Sequence, residues 1–230
     1  MKERYNMEDL LRIVALLRDP KDGCAWDKVQ THSSIRKNFI EETYEVADAI
    51  DLEDAHLLCE ELGDVLLQVA LHTQMETEQS RFTFEDVCTG ICKKLIYRHP
   101  HIFGDVKADN PEQALQNWEA LKRQEKHRES VAEDLASVPQ AMPALMRATK
   151  LSKRAASHGM GRSTQETTAS LKKNADEFCK AAEQGDVQNI SDVLGRLLFD
   201  AADLGRQVKC DAEEALEREN RAFLYSVSQP

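Results

Sequence analysis

Two stretches of the chain, FIEETYEVADAI (residues 39–50) and CEELGDVLLQVAL (residues 59–71), decide the fold. Both combine Glu with several apolar residues and contain no proline. Because their apolar residues recur at helical spacing, each stretch predicts an amphipathic helix. Five carboxylates nevertheless stand among positions that look like core: Glu41, Glu42, Glu45, Glu61 and Asp64. A metal site requires such an arrangement, whereas a charged surface does not.

The five acids fall into two groups that follow the helical repeat, since residues three or four positions apart share one helix face. Glu41 and Glu45 stack with Glu42 beside them, and Glu61 and Asp64 form a similar pair on the next helix. The second pair adjoins an apolar stripe of Leu58, Leu62, Val65, Leu66 and Val69. Unpaired acids are costly to bury, and a hard cation such as Mg²⁺ or Mn²⁺ offsets that cost. The acids therefore predict a metal site, with a solvated acidic helix face as the alternative.

The composition of the 230 residues favours a helical protein, because only nine are Gly and six are Pro. The formal net charge is −11, which argues against nucleic acid and anionic membranes, whose affinity for proteins comes mostly from Lys and Arg. No run reaches the roughly 18 apolar residues of a membrane span, and the first residues lack the apolar region of a secretory signal. The six cysteines form no Cys-x-x-Cys pair. We expect a cytoplasmic protein with free thiols.

Residues typical of helix starts and stops divide the chain into a series of helices. The predicted helices span residues 8–17, a segment capped by Ser33 or Ser34 that ends near residue 50, residues 54–78, a segment from residue 84 to just before Arg98, a segment that follows the cap Asn110, and residues 141–157, 166–184, 187–208 and 211–225. No stretch shows the alternation of a strand over a convincing length. We interpret residues 1–126 as a catalytic domain, 127–140 as a linker and 141–230 as a second domain.

The second domain repeats part of the first at a constant separation of 132 positions (177 − 45, 195 − 63 and 196 − 64). The matched pairs are Glu45 and Glu177, Gly63 and Gly195, and Asp64 and Arg196. A constant separation over two helices suggests a duplication. The counterparts of Glu41, Glu42 and Glu61 are Lys173, Asn174 and Val193. Because only Glu177 keeps its acid, we interpret the second copy as degenerate, kept for stability, dimer contacts or regulation.

Two basic or aromatic pairs in the first domain suit a phosphorylated ligand. Lys94 and Arg98 lie one helical turn apart, and Trp118 and Lys122 repeat that spacing on the next amphipathic segment. Each pair would hold phosphate oxygens or stack on a base, although taken singly each residue is more often a surface residue or a core anchor. With AEEALERENRAFLYS taken as the third helix of the second domain, Ala222 and Ser226 occupy the positions expected for Lys94 and Arg98, so the repeat lacks these cations too.

Six segments, in order along the chain, resemble the MazG nucleoside triphosphate pyrophosphohydrolases. They are GCAWDKVQTHSSI, EETYEVADAI, EELGDVLLQVALH, RHPHIFGD, NWEALKRQEK and VPQAMPALMRATKLSKRAA. The resemblance implies an all-α fold of tandem four-helix-bundle-like MazG domains, usually in a homodimer. It also implies Mg²⁺-dependent hydrolysis of (d)NTPs to the monophosphate and pyrophosphate, with Mn²⁺ as a substitute ion, in house-cleaning of the nucleotide pool.

The motif positions also carry implied roles. The metal ligands implied by the resemblance are Glu42, Glu45, Glu61 and Asp64, with Glu41 as the base that accepts a proton from water. The implied nucleotide-binding residues are Lys94, Arg98, Trp118, Lys122 and Trp26. Ala25 replaces the Pro usual before Trp26, which bears on the rigidity of that loop. Two other interpretations stay open: a nucleotide-binding regulatory module with little turnover, and a helical scaffold whose acids bind a partner protein.

Overall fold

The structure, a computed structural model, describes residues 2–125 and 130–228, and every regular element in those ranges is a helix. The expected all-α class is confirmed. The chain divides into two compact units, Met1–Leu121 and Lys122–Pro230. The predicted domain boundary at residue 126 and the start of the predicted linker lie outside the described residues. Among the helices described, none is long and apolar enough to cross a membrane.

The first unit is a series of helices around the hairpin that carries the acids. Its elements are α1 (Met7–Leu17), a 3₁₀ helix (Asp27–Val29), α2 (Arg36–Asp51), α3 (Ala55–Glu78), α4 (Phe84–Arg98), α5 (Pro100–Phe103) and α6 (Pro111–Glu125), the last of which runs past the boundary between the units. The helix predicted to start at residue 54 begins at Ala55, and Asp54 caps it by accepting hydrogen bonds from the N–H groups of His56 (2.9 Å) and Leu57 (3.1 Å). Asn110 likewise accepts from the N–H of Gln113 (2.8 Å) at the start of α6.

The prediction that Ser33 or Ser34 caps α2 is wrong. Ile35 occupies the N-cap position, and no side chain caps the helix there. The Ser34 hydroxyl is engaged in the preceding turn, where it donates to Gln30 Oε1 (2.7 Å) and accepts from the N–H of Thr31 (2.9 Å). Local turn formation therefore outcompetes capping at this serine.

The core of the first unit lies towards the C-terminal half of α3, away from the acids. It consists of Val14, Ile35, Ala70, Leu71 and Met75, with Leu10, Leu11 and Leu67 packed against it. The predicted apolar stripe beside the acids is only half-buried, and Leu62 is 51% exposed. The acids thus stand at the edge of the core, where solvent and ligands have access.

The second unit contains α7 (Val131–Ala136), α8 (Ala144–Ser157), α9 (Thr164–Gln184), α10 (Val187–Gln207) and α11 (Ala212–Ser228). Helix α7 lies within the predicted linker and packs on α8. Its Asp134 is buried and pairs with Arg154 (3.4 Å) and His158 (3.2 Å). These ion pairs order a segment whose polar composition resembles a linker.

The hairpin α9–α10 corresponds to α2–α3 at the separation of 132 positions, and Asp186 caps α10 as Asp54 caps α3. Leu194 and Leu198, the counterparts of Leu62 and Leu66 in the apolar stripe of α3, are nevertheless exposed. The buried residues of α10 are Val193, Asp200, Ala202 and Asp203. Arginines pair with the two aspartates, so polar groups replace part of the expected apolar packing.

Candidate metal and nucleotide site

Three carboxylates meet across the hairpin α2–α3, and Glu42, Glu45 and Glu61 are called the acid cluster below. One oxygen from each lies within 4.8 Å of the others. Glu42 and Glu61 are half-buried, while Glu45 is exposed. Because the turn between the helices is only three residues long, α2 and α3 run antiparallel and place these positions opposite each other. The predicted convergence of acids from two helices is therefore present in the structure.

The acid cluster is electrostatically strained. The pKa of Glu42 is raised by burial, by a hydrogen bond with Glu45 and by the charges of Asp64, Glu45 and Glu61. The pKa of Glu61 is raised by burial and then by the charges of Glu45, Asp64 and Glu60. Within the described ranges, no Lys or Arg forms an ion pair with the cluster or with Asp64. Negative charge therefore accumulates without a protein counter-ion.

Asp64 and Glu41 occupy different places relative to the cluster. Asp64 lies close enough to raise the pKa of both Glu42 and Glu61, so it contributes a fourth negative charge. Glu41 instead forms an ion pair with Lys37 at 2.8 Å and raises the pKa of that lysine through a hydrogen bond. Glu41 thus stands beside the cluster on α2, and its role as a base remains a prediction.

The donor set fits a hard divalent cation. Carboxylate oxygens are the ligands that Mg²⁺ and Mn²⁺ prefer, and a divalent charge between them would remove the repulsion that raises the two pKa values. The half-exposed position leaves room for water and phosphate oxygens, which complete the shell of Mg²⁺ in many sites. The chemistry of these residues thus accommodates the predicted ion.

Two of the predicted nucleotide-binding residues are in contact with each other. Arg98, at the end of α4, is 5% exposed, and its guanidinium carbon lies 5.4 Å from the centre of the Trp118 ring on α6. This distance corresponds to a cation–π contact. Lys94 is half-buried one turn before Arg98, and Lys122 is half-buried one turn after Trp118.

Trp26 is 56% exposed in the loop between α1 and α2. Arg18, which no sequence pattern had indicated, anchors this loop through hydrogen bonds. Arg18 is 7% exposed; it donates to the carbonyls of Asp27 (2.7 Å) and Gln30 (3.2 Å) and pairs with both carboxylate oxygens of Glu78 (2.8 and 2.9 Å). The loop is therefore anchored to the end of α3, while the Trp26 ring remains accessible.

Comparison with known proteins agrees with this geometry. Residues 30–103 match the MazG nucleotide pyrophosphohydrolase domain. The chain is 40% identical over 220 residues to the nucleoside triphosphate pyrophosphohydrolase of Escherichia coli strain K12, an alignment that covers 94% of this chain and 84% of that protein. The chain belongs to the MazG family. It is also 37% identical over 217 residues to the nucleoside triphosphate pyrophosphohydrolase/pyrophosphatase MazG of Thermotoga maritima, covering 94% of this chain and 82% of that one.

The region matched by the MazG domain contains the acid cluster, Asp64, Lys94 and Arg98, whereas Trp26, Trp118 and Lys122 lie outside it. A third relative, the nucleoside triphosphate pyrophosphohydrolase of Mycobacterium tuberculosis, is 39% identical over 155 residues, which cover 66% of this chain and 46% of that protein. The MazG region therefore coincides with the part of the chain in which the structure gathers the acids.

A second polar cluster in the MazG region also escaped the sequence analysis. His32 Nε2 lies 2.5 Å from Glu76 Oε1, and His32 Nδ1 lies 2.6 Å from His72 Nδ1. Hydrogen bonds from Arg81 and then from His32 lower the pKa of Glu76 to about 2, against the effect of burial. Burial lowers the pKa of His72. The two partners of His32 lie 40 and 44 positions away from it, so no local pattern reveals these contacts.

The matching hairpin of the second unit neutralises its remaining acid. Glu177 lies 3.7 Å from Lys173 and 3.7 Å from Arg196, the residues at the positions of Glu41 and Asp64. Val193, at the position of Glu61, is 1% exposed. A cavity of about 600 Å³ borders this hairpin, and Arg162 in its wall pairs with Asp200 (2.7 Å) and Asp203 (3.3 Å). Here the cations are arginines of the chain itself.

Proposed function

We propose that this MazG protein is a nucleoside triphosphate pyrophosphohydrolase that hydrolyses (d)NTPs to (d)NMP and pyrophosphate with Mg²⁺, or Mn²⁺ as a substitute. The carrying observation is the acid cluster, in which three carboxylates lie within 4.8 Å without a basic partner among the described residues. A nucleoside triphosphate is itself anionic. The carboxylates of the acid cluster can therefore bind it only if a cation lies between them and the phosphates. The names of the relatives support the same reaction.

Glu42, Glu45, Glu61 and Asp64 would hold the metal ion. When bound, the ion neutralises charge on the triphosphate and the leaving group. A water molecule attacks the α-phosphorus, the bond between the α-phosphorus and the bridging oxygen breaks, and pyrophosphate leaves. Glu41, which stands on α2 beside the cluster, accepts the proton of that water in this proposal.

The triphosphate is held by Lys94 and Arg98 in this proposal. The Arg98 guanidinium is nearly buried and is oriented by the Trp118 ring, so it loses little side-chain entropy when it binds an anion. Trp118, Lys122 and Trp26 contact the nucleoside. The exposed ring of Trp26, on a loop anchored by Arg18, has the surface that base stacking requires.

The deciding experiment is a screen of NTPs and dNTPs with the purified full chain, in Mg²⁺ and in excess chelator. We expect pyrophosphate from at least one triphosphate and no release in chelator. Orthophosphate as the sole product, or equal rates in chelator, contradicts the proposal. Nucleotide binding without turnover would favour the regulatory module. A divalent ion that leaves the stability of the chain unchanged would favour the scaffold.

The proposal includes a homodimer and a role in nucleotide-pool house-cleaning. Helix α4 presents apolar side chains one turn apart, with Val87 37%, Ile91 46% and Leu95 45% exposed. Such a stripe is typical of a contact between subunits. Light scattering should give twice the chain mass of 26.0 kDa, and a monomeric mass at micromolar concentration would contradict the dimer.

A further inference from the structure

Gln68 is a buried polar residue that the proposed reaction does not use. It lies on α3, four positions after Asp64, and only 6% of its surface is exposed. Its side-chain oxygen Oε1 is buried and has no hydrogen-bond partner among the residues that the structure describes. A buried acceptor without a donor destabilises the fold, so such atoms in native proteins call for an explanation.

The second unit shows where a side chain at this register reaches. Asp200 is the counterpart of Gln68 at the separation of 132 positions (200 − 68). Its Oδ2 accepts hydrogen bonds from Ser170 Oγ (2.5 Å) and Asn174 Nδ2 (2.8 Å) on the facing helix. Asn174 is the counterpart of Glu42. In the same hairpin geometry, the position of Gln68 therefore faces the helix that carries Glu42, one turn from Asp64.

We propose that Gln68 is a positioning residue of the metal site, whose carboxamide oxygen accepts a hydrogen bond from a water molecule bound to the cation. The inference rests on the proposed function, because it needs the ion at the acid cluster. Mg²⁺ and Mn²⁺ keep several waters when bound by carboxylates, and such waters need acceptors. The carboxylates themselves have acceptor capacity but are engaged with the ion, whereas the Gln68 oxygen is neutral and unused.

A purely structural role predicts a different outcome for the same substitution. If Gln68 only fills space, Gln68→Met preserves the volume, removes the buried acceptor, and leaves ion binding unchanged. If Gln68 positions a water, the same variant loses ion affinity although its fold is as stable as before or more stable. Residues that support metal ligands from outside typically change affinity by about 10- to 100-fold when they are replaced.

The test is Mn²⁺ binding to the full chain without nucleotide, followed by loss of the free-ion electron paramagnetic resonance signal. Gln68→Met should bind about tenfold more weakly or worse. Its metal-free melting temperature should equal or exceed that of the wild type. Gln74→Met, on the same helix but with its amide directed to Glu78 (3.3 Å), should bind Mn²⁺ as the wild type does. Unchanged affinity in a folded Gln68→Met overturns the inference.

Two further variants separate this inference from the proposed function. Gln68→Glu keeps an acceptor oxygen at the same distance and should retain wild-type affinity or better. A tenfold or larger loss of Mn²⁺ affinity in folded Gln68→Glu overturns the inference, even where the Met variant fails to fold. Glu61→Gln should abolish Mn²⁺ binding. If the wild type binds no Mn²⁺, or Glu61→Gln binds it normally, the proposed metal site itself fails.

Discussion

The hairpins α2–α3 and α9–α10 share a register of 132 positions and an aspartate cap on their second helix, yet their acids have opposite surroundings. In the first hairpin, Glu42, Glu45 and Glu61 converge, and no Lys or Arg among the described residues forms an ion pair with them. In the second, Glu177 lies between Lys173 and Arg196. The first hairpin therefore leaves its acids available for the proposed cation, whereas basic residues of the chain itself pair with the acid of the second.

The two ends of α3 repeat the contrast within one helix. Near its start, the pKa of Glu61 is raised by burial and by neighbouring acids. Near its end, Arg81 and His32 lower the pKa of Glu76 to about 2. The difference teaches that an acid's partners, and not its place on a helix, separate a ligand site from a structural ion pair.

The largest expected effect comes from the one acid that both hairpins retain. Glu45→Ala should abolish turnover, because the charge stabilisation that a metal ion supplies is worth several kcal/mol. Glu177→Ala should stay near the wild-type rate, since its neighbours are already cationic. Steady-state pyrophosphate release measures both. Loss of catalysis in Glu177→Ala, with helix content and mass intact, would place the active site elsewhere.

A second set of variants neutralises charged residues of α3 and, as a control, the counterpart of Asp64 on α10. Glu61→Gln and Asp64→Asn should each abolish turnover while circular dichroism remains that of the wild type, because the shape is kept and the ligand charge is lost. Arg196→Gln, at the counterpart of Asp64, is the matched control and should be fully active. A wild-type rate for either acid variant at limiting Mg²⁺ would show that the ligand assignment is wrong.

The basic pair of α4 has no equivalent in the second unit, so its removal tests whether the first unit alone binds phosphate. Lys94→Ala and Arg98→Ala should each weaken nucleotide binding by ~1.5–3 kcal/mol, about 10- to 100-fold, and affect Mn²⁺ binding less. Lys93→Ala, an exposed neighbour on the same helix, serves as the control. If KM and kcat are unchanged in both variants, the phosphates bind at another place.

The paired acid of α3 should show its contribution in the pH dependence of stability. The folded pKa of Glu76 is about 2 against an ordinary value of 4.5, so its stabilising effect is complete above 4.5 and is lost as the pH falls towards 2. We expect Glu76→Gln to melt below the wild type at neutral pH. The difference in melting temperature should shrink steadily below pH 4.5. A constant difference across that range would contradict the role of the ion pair.

The smallest expected effect is a rise in melting temperature, opposite in sign to that of Glu76→Gln. The pKa values of Glu42 and Glu61 are raised above 4.5, so without metal these groups destabilise the fold once they ionise, and stability falls as the pH rises through the raised values. Metal-free Glu61→Gln should therefore melt slightly above the wild type at neutral pH. Saturating Mn²⁺ should reverse the order, and a variant that melts lower in chelator would argue against repulsion in the cluster.

The features that the sequence predicted depend on short-range interactions, and those that it missed depend on longer-range or competing ones. Helical periodicity and capping chemistry act within a few residues, which is why the long helices and the cap at Asn110 were predictable. The same short range places Glu42 beside Glu45 and Glu61 beside Asp64. The sequence analysis failed where a residue had competing local partners, as Ser34 does in its turn with Thr31.

The sequence by itself determined an all-α chain with acids on facing sides of one hairpin, because both features follow from a repeat of 3.6 residues per turn. Only the tertiary structure decided which acids lack counter-ions, that Arg98 lies against Trp118, and that Gln68 is buried with an unused acceptor. It also placed Asp200 and Asp203 on the buried face of α10. Those outcomes depend on partners tens of residues apart, whose approach is set by packing and by the pairing of buried charge.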